Sequence, residues 1–469
     1  MAHTVDVSND LNIRKVRIWC AVGFTSYWAW LFLLLIVQVF GAPRQTPVGN
    51  VWLWCTAIHI GALIVLGLLA RRLSPYSHNV LVVASSPASM AAGTGLLLAG
   101  VMMGSTPLLL FSLLLVGTGT AGMVLCWGEV LSALSFDGEQ RTLLLSCLMA
   151  SIVLYLVFAF LPAEVLCAAM FIMPIVAAVP LQACIRALGP RLHEEETAGE
   201  EPERLTSRFV LFCLVYSVPL GFFQVKYTMG GSGLVDWIPV LAPSLLILGL
   251  IGVVDILLER KKGYNFVPAV IIPGAIAGLL LLALFNDHDA RPAGMLIFSA
   301  QQLLTVALYA RFASLSSRGK NNPAAVFALG VGATDAGFIL GMLAGEAANV
   351  SAWPLELTLG IAYVVVLGGF LATGAFSRKE SGDERMQSAA TLNLDGANTC
   401  AVGELSARYG LTAREEDVLV QLLRGKSVSA IATDFFLSKN TVRSHVAHIY
   451  QKMDVHTRDG LIELVDARR

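Results

Sequence analysis

Residues 107–134 read PLLLFSLLLVGTGTAGMVLCWGEVLSAL, with Glu129 as the one acidic or basic side chain in the stretch. A helix of roughly 20 apolar residues crosses the hydrocarbon core of a bilayer. In lipid every backbone polar group must be satisfied within its own segment, so such a stretch is helical. Runs of the same kind recur on both sides of it. With it they predict twelve spans, at 16–40, 50–70, 79–103, 107–134, 141–161, 164–185, 209–229, 236–258, 266–285, 293–312, 323–345 and 355–376. The whole chain of 469 residues is 56% apolar and 14% charged, against roughly 25% charged in an ordinary soluble domain. A soluble enzyme is thereby excluded. The first run follows Arg14, Lys15 and Arg17, but it is longer than the 7–15 apolar residues of a signal peptide's core and no small-residue cleavage site follows closely. It reads as a retained span.

Lys and Arg alternate across these spans in a biased way. One side holds 18 of them, from Arg14, Lys15 and Arg17 through Arg71, Arg72, Arg260, Lys261 and Lys262 to Arg378 and Lys379; the other holds Arg44 and Arg291. Such a bias places the first set in the cytoplasm, and an even number of spans returns both termini there. The reading is a multi-pass protein of the cell's inner (cytoplasmic) membrane. The longest inner loop, 186–208, contains HEEETAGEEPER and divides the spans six and six. Leu68 to Arg72 and Leu257 to Lys261 close the second and eighth spans alike, 189 residues apart. This parallel six-plus-six topology resembles the major-facilitator type of transporter fold. The loop after the second span departs from that family's glycine and acidic signature, which separates the fold from the transport activity.

A charge near the bilayer centre costs about 2.5 kcal/mol or more, so each one marks a functional position. Asp335 falls in mid-span, and Glu129 lies one to two turns from an inner end. With His59 and Gln301, beside Gln302, they are the polar groups available to a central cavity, and all four are candidates for ligand or proton sensing. Lys226 sits near an outer end, where its stem can snorkel, and Asp255 sits beside the basic cluster Arg260–Lys262. Trp52 and Trp54 occupy interfacial depth, where tryptophan belts are usual. Gly337, Gly341 and Gly345, and the small residues around Gly117 to Gly122, are spaced for close helix approach. Seven of eight cysteines lie in apolar tracts and none forms a C-x-x-C pair, so no metal or redox motif is indicated. Phosphate-binding glycine loops and paired catalytic groups are likewise missing from the sequence. No cofactor, and no enzymatic activity, is expected.

Beyond Phe376 the hydropathy collapses, and 377–407 has the composition of a flexible cytoplasmic linker. The module from 408 to 469 then becomes sharply patterned. Thr412 and Glu415 form a T-x-x-E capping box. Val418, Leu419, Leu422 and Leu423 make an apolar stripe ended by Gly425. A second helix is predicted over about 428–434, with Ile431 inward. Ser438 opens a third whose inner face is Val442, Val446, Ile449 and Met453, and Thr457 caps a last helix with Leu461, Leu464 and Val465. Two short helices about a tight turn, the second with a basic outer face, form a helix-turn-helix.

LTAREEDVLVQLLRGKSVSAIATDFFLSKNTVRSHVAHIYQKMDVHTRDGL, residues 411–461, resembles the LuxR-type (NarL/FixJ) DNA-binding domain along its whole length. The resemblance implies a four-helix domain that dimerises through its last helix and lays its third in the major groove. It further implies base contacts from Arg443, Ser444 and Ala447 and phosphate contacts from Lys439, Thr441 and Lys452. Ala447 offers only a methyl group, so Arg443 should dominate direct base readout. The fold class expected is all-α: a membrane bundle over 1–376, a linker over 377–407 and a four-helix DNA-binding domain over 408–469. The resemblance extends to membrane-anchored LuxR-type regulators with many spans. A one-component regulator that senses a small molecule through its bundle is the expected function, with double-stranded DNA, membrane lipid and an unidentified ligand as partners. A secondary transporter with an appended regulatory domain is the alternative.

Overall fold

The computed structural model describes residues 2–41, 51–134, 140–189, 206–223, 238–262, 291–317 and 321–350 of the membrane part. Of the C-terminal part it describes 405–406, 408–423 and 439–455, with Lys426, Ile431, Phe435, Leu461 and Leu464 singly, and of the membrane part also Gly360. Among the described residues there are helices and no strand. The chain divides into two compact units, Met1–Leu371 and Ala372–Arg469.

The first unit is a helix bundle: α1 (Ala2–Gly41), α2 (Val51–Leu73), α3 (Val80–Met103), α4 (Thr106–Leu134), α5 (Gln140–Phe158), α6 (Ala163–Leu188), α7 (Ser207–Phe223), α8 (Ile238–Lys262), α9 (Arg291–Ser317) and α10 (Pro323–Val350). Among the described residues, seven of these helices are long and apolar enough to cross a membrane, by length and composition. Shorter apolar helices run over Thr142–Phe158, Phe209–Phe222 and Leu241–Val254. The expected span 266–285 and, Gly360 apart, the expected span 355–376 lie outside the described residues, and twelve stands as the sequence-based expectation. Several helices overrun their predicted ends, α1 beginning at Ala2 and not at 16, because hydropathy locates the lipid-crossing portion and not the end of the hydrogen-bonded ladder.

Small residues set the closest approaches. A methyl group on Gly337 would meet the Leu214 carbonyl, one on Gly341 the Val218 carbonyl, and one on Gly221 the Phe338 carbonyl, so α7 and α10 lie backbone to backbone. Without a hydrophobic driving force between helices in lipid, such approach is what dispersion needs. Gly117 does the same for α2 beneath Cys55 and His59, while Gly119 and Gly122 admit Ser86 of α3. Pro87, Pro174, Pro180 and Pro243 lie inside α3, α6 and α8, which neighbouring helices and Ser or Thr hydroxyls make tolerable in a membrane.

The second unit contains α11 (Ala413–Leu423) and α12 (Lys439–Met453). Its core is formed by Leu405, Val418, Leu419, Leu422, Ile431, Val442, Ile449, Met453 and Leu461. The predicted stripes of the first and third domain helices are thus the faces that are buried. Of the second and last helices, only Ile431, Leu461 and Leu464 fall among the described helical residues.

Candidate functional site

Inside the membrane unit, seven helices (α1, α2, α4, α5, α7, α9 and α10) line a cavity of about 260 Å³. On α2 the lining residues Trp52, Cys55 and His59 recur at three- and four-residue spacing, and on α4 Val116, Thr120 and Val124 recur every fourth residue. Phe298, Gln301, Thr305 and Tyr309 line it from α9, and Thr334, Asp335 and Phe338 from α10. Tyr27 and Trp28 close it from α1.

His59 is the hub of its polar side. Its Nδ1 lies 2.8 Å from Thr120 Oγ1, and the Thr120 hydroxyl lies 2.9 Å from the carbonyls of both Val116 and Gly117. A hydroxyl has one proton to donate. With it given to the backbone, the Thr120 oxygen accepts from Nδ1–H, and that network assigns the tautomer. The other nitrogen, Nε2, then faces Asp335 Oδ2 at 3.5 Å. Gly117 makes this possible, since any larger residue there would push against Ile58 and the Cys55 carbonyl and drive α2 away.

Of the four membrane residues singled out in the sequence, His59, Gln301 and Asp335 therefore meet around one cavity, and Gln302 joins them. Glu129 does not line it. Its buried carboxylate accepts the N–H of Tyr76 and of Ser77, both at 2.8 Å, and the Ser74 hydroxyl at 3.0 Å. It pins the turn between α2 and α3 to α4. Lys226 and the side chain of Asp255 lie outside the described residues. Trp54 is exposed, as an interfacial belt residue would be, whereas Trp52 faces the cavity. Thr120, Cys55 and Tyr309 were missed in the sequence. The available signal was their helical spacing from His59, Val116 and Gln301, which a polar-residue search passes over.

In the second unit the capping box closes as expected. The Thr412 N–H donates to Glu415 Oε2 at 2.8 Å, and the Glu415 N–H to Thr412 Oγ1 at 3.3 Å. The same carboxylate accepts Lys452 Nζ at 2.7 Å, and His448 Nδ1 lies 3.7 Å from its other oxygen. Lys452 also donates to the Gly410 carbonyl at 3.0 Å. The Lys452 ammonium, followed by the Thr412 N–H, holds the Glu415 carboxyl down at about 2. One buried carboxylate thus joins the start of α11 to the end of α12. Gly410 is left-handed at φ +64°, where glycine carries no steric penalty. Arg414 stacks 4.7 Å from the centre of the Phe435 ring.

With Val442, Ile449 and Met453 buried, α12 turns Thr441, Arg443, Ser444 and Ala447 outward. His445 is half-buried. The side chain of Lys439, the first residue of α12, lies outside the described ones.

Residues 410–465 match the profile of GerE, bacterial regulatory proteins of the luxR family. The chain is 35% identical over 63 residues to the spore germination protein GerE of Bacillus subtilis, covering 85% of that protein and 13% of this one. The chain belongs to the luxR family of bacterial regulatory proteins. It is also 44% identical over 50 residues to the uncharacterized transcriptional regulatory protein YhcZ of Bacillus subtilis, covering 23% of YhcZ and 11% of this chain. It spans about a quarter of the length of the regulators it first matches, 23% and 24% for YhcZ and the probable regulator NarL of Mycobacterium tuberculosis. The luxR module is thus the shared part, and the membrane unit lies outside it. A crystal structure of a bacterial homologue of the iron transporter ferroportin, in an outward-facing state, overlays on 79% of this chain and 99% of that one, with a TM-score of 0.50 and 14% identity. That likeness shows the fold. This luxR-family chain is a multi-pass membrane protein with a transporter-like bundle.

Proposed function

We propose that the chain is a membrane-embedded one-component transcriptional regulator. A small molecule binds in the cavity of the bundle, and the C-terminal module binds promoter DNA. The observation that carries this reading is the joining, in one chain, of a luxR-family module to a membrane bundle with a polar-centred cavity. A ligand controls the module only if it binds two conformations of the bundle unequally. His59, Gln301 and Asp335 are the sensing groups of this proposal. Glu129 is given a supporting place in it, because its oxygens are taken by the turn after α2.

On DNA the domain acts as a dimer, with α12 in the major groove. Arg443, Ser444 and Ala447 meet bases, and Lys439 and Thr441 meet phosphates, joined by the third N–H of Lys452, whose other two are given to Glu415 and the Gly410 carbonyl. Over residues 400–469 there are 10 basic and 9 acidic side chains, so the module has little long-range attraction for DNA and depends on pairing with a second copy. The bundle lies in the inner membrane with twelve spans and both termini in the cytoplasm, the linker 377–407 giving the module its reach. It is not an enzyme and uses no cofactor.

Arg443→Ala should remove promoter occupancy in a chromatin pull-down while the protein still fractionates with the membrane. The bidentate guanine contact at stake is worth roughly 1–3 kcal/mol. Unchanged occupancy would sink the contact assignment.

The transporter-like overlay favours a second reading, a secondary transporter with an appended regulatory domain. Uptake into vesicles by purified protein, lost in Asp335→Asn, would establish it; reporter induction without flux would favour the regulator. Iron is the named cargo of the structural neighbour and, at 14% identity, is not carried over to this chain.

A further inference from the structure

Resting on that sensing role, we propose that the cavity takes a small organic cation, a protonated amine on an aromatic or aliphatic body, with Asp335 as its counter-ion and His59 as a second acceptor. Asp335 keeps 30% of its side-chain surface exposed although it lies in mid-helix, and that surface opens on the cavity. The ionisable groups that face it there, among the described lining residues, are Tyr27 of α1, Cys55 and His59 of α2 and Tyr309 of α9; none is Lys or Arg. A carboxylate held away from water without a partner cation is costly.

His59 is an incomplete answer to that charge. Its ring is 90% buried and already committed to Thr120 through Nδ1, and at 3.5 Å its Nε2 stands beyond a good hydrogen bond to Asp335. To neutralise Asp335 the ring would have to carry a second proton in a buried site. An ammonium brings its own charge. Two acceptors 3.5 Å apart, Nε2 and Oδ2, can both receive N–H bonds of ordinary length from one nitrogen placed between them. A quaternary nitrogen, with no N–H, forgoes both bonds.

The walls suit the rest of such a molecule. Trp28 and Tyr309 meet edge to face at 6.2 Å, and Phe32 and Phe298 lie 6.2 Å apart on the same lining. Tyr27 and Tyr309 line the same cavity as Asp335. A cation over an aromatic face, within about 6 Å of its centre, is attracted by the ring's quadrupole. At about 260 Å³ the cavity is close to the lower end of ligand pockets, roughly 300–1,000 Å³, which fits a small amine and excludes a peptide.

The test uses the full-length protein in lipid nanodiscs and three probes of one shape: 3-phenylpropylamine, the neutral 3-phenylpropanol and the anionic 3-phenylpropanoate. Calorimetric titration should show the amine binding at least about tenfold more tightly than either other probe, as charge-assisted bonds require. Asp335→Asn should remove that preference and leave the alcohol unaffected, and Asp335→Glu should retain part of it. The preference in the unsubstituted protein needs no variant to fold. Equal or tighter binding of the alcohol or the propanoate overturns the proposal, as does no amine binding at millimolar concentration. Promoter occupancy is followed in parallel. Selective amine binding that leaves occupancy unchanged supports the cation site and defeats the sensing role; occupancy that responds to the alcohol or propanoate does the reverse.

Discussion

Replacing Glu415 by Gln would remove a charge while leaving an oxygen to cap α11. In the folded module this carboxylate accepts Lys452 at 2.7 Å and the Thr412 N–H at 2.8 Å, with His448 at 3.7 Å, and its side chain is only 5% exposed. The sign follows from the direction of the shift. A carboxyl held at about 2 in the folded state against 4.5 otherwise contributes stability that is complete above pH 4.5 and is lost as pH falls towards 2. At 1.36 kcal/mol per pKa unit the upper bound is roughly 3 kcal/mol. Lys452 is itself about one-third exposed, and screening on that side brings the expectation to about 1–2 kcal/mol. Hydrogen exchange read by mass spectrometry on full-length protein, over peptides spanning 413–423 and 439–453, should show protection falling about five- to thirtyfold in Glu415→Gln at pH 7. The ratio of wild type to variant should shrink below pH 4.5. A ratio near one at pH 7, or one that does not change towards low pH, would refute the claim that this carboxylate ties the two helices together.

Three further outcomes are expected. Gly337→Val or Gly341→Val sets a side chain against a backbone carbonyl of α7 and should cost about 1–3 kcal/mol or more, read as a lowered melting temperature in detergent; Gly332→Ala, with nothing nearer than 4.0 Å to the new methyl, should be close to neutral. Glu129→Ala leaves the buried N–H groups of Tyr76 and Ser77 unpaired, at roughly 1–3 kcal/mol each, and should lower the melting temperature while leaving ligand affinity at the cavity intact. Promoter affinity should fall steeply with salt, and Lys439→Ala should reduce the slope of log affinity against log salt by about one, the mark of one lost phosphate contact.

Local signals in the chain carried much of this architecture. Thr412 and Glu415 are three residues apart, so their reciprocal cap is a matter of one helical turn and could be read directly. The same holds for Val442, Ile449 and Met453, whose spacing dictates a single buried face whatever packs on it. Gly337 and Gly341 announced a close approach, but only the folded bundle showed that α7 is the partner.

The cavity marks the other side of that division. His59 and Asp335 stand 276 residues apart, and no periodicity relates them; they meet because Gly117 lets α2 close on α4 and because α10 packs against α2. Glu129 carried the same signal as Asp335 in the sequence, a lone acid in an apolar helix. Tertiary structure separated them, turning one carboxylate onto backbone N–H groups and the other onto open space. Composition and spacing decided what each helix is and which face it hides, since those depend on neighbours within a few residues. Which charges share a site depends on how distant helices pack, and that was decided only in three dimensions.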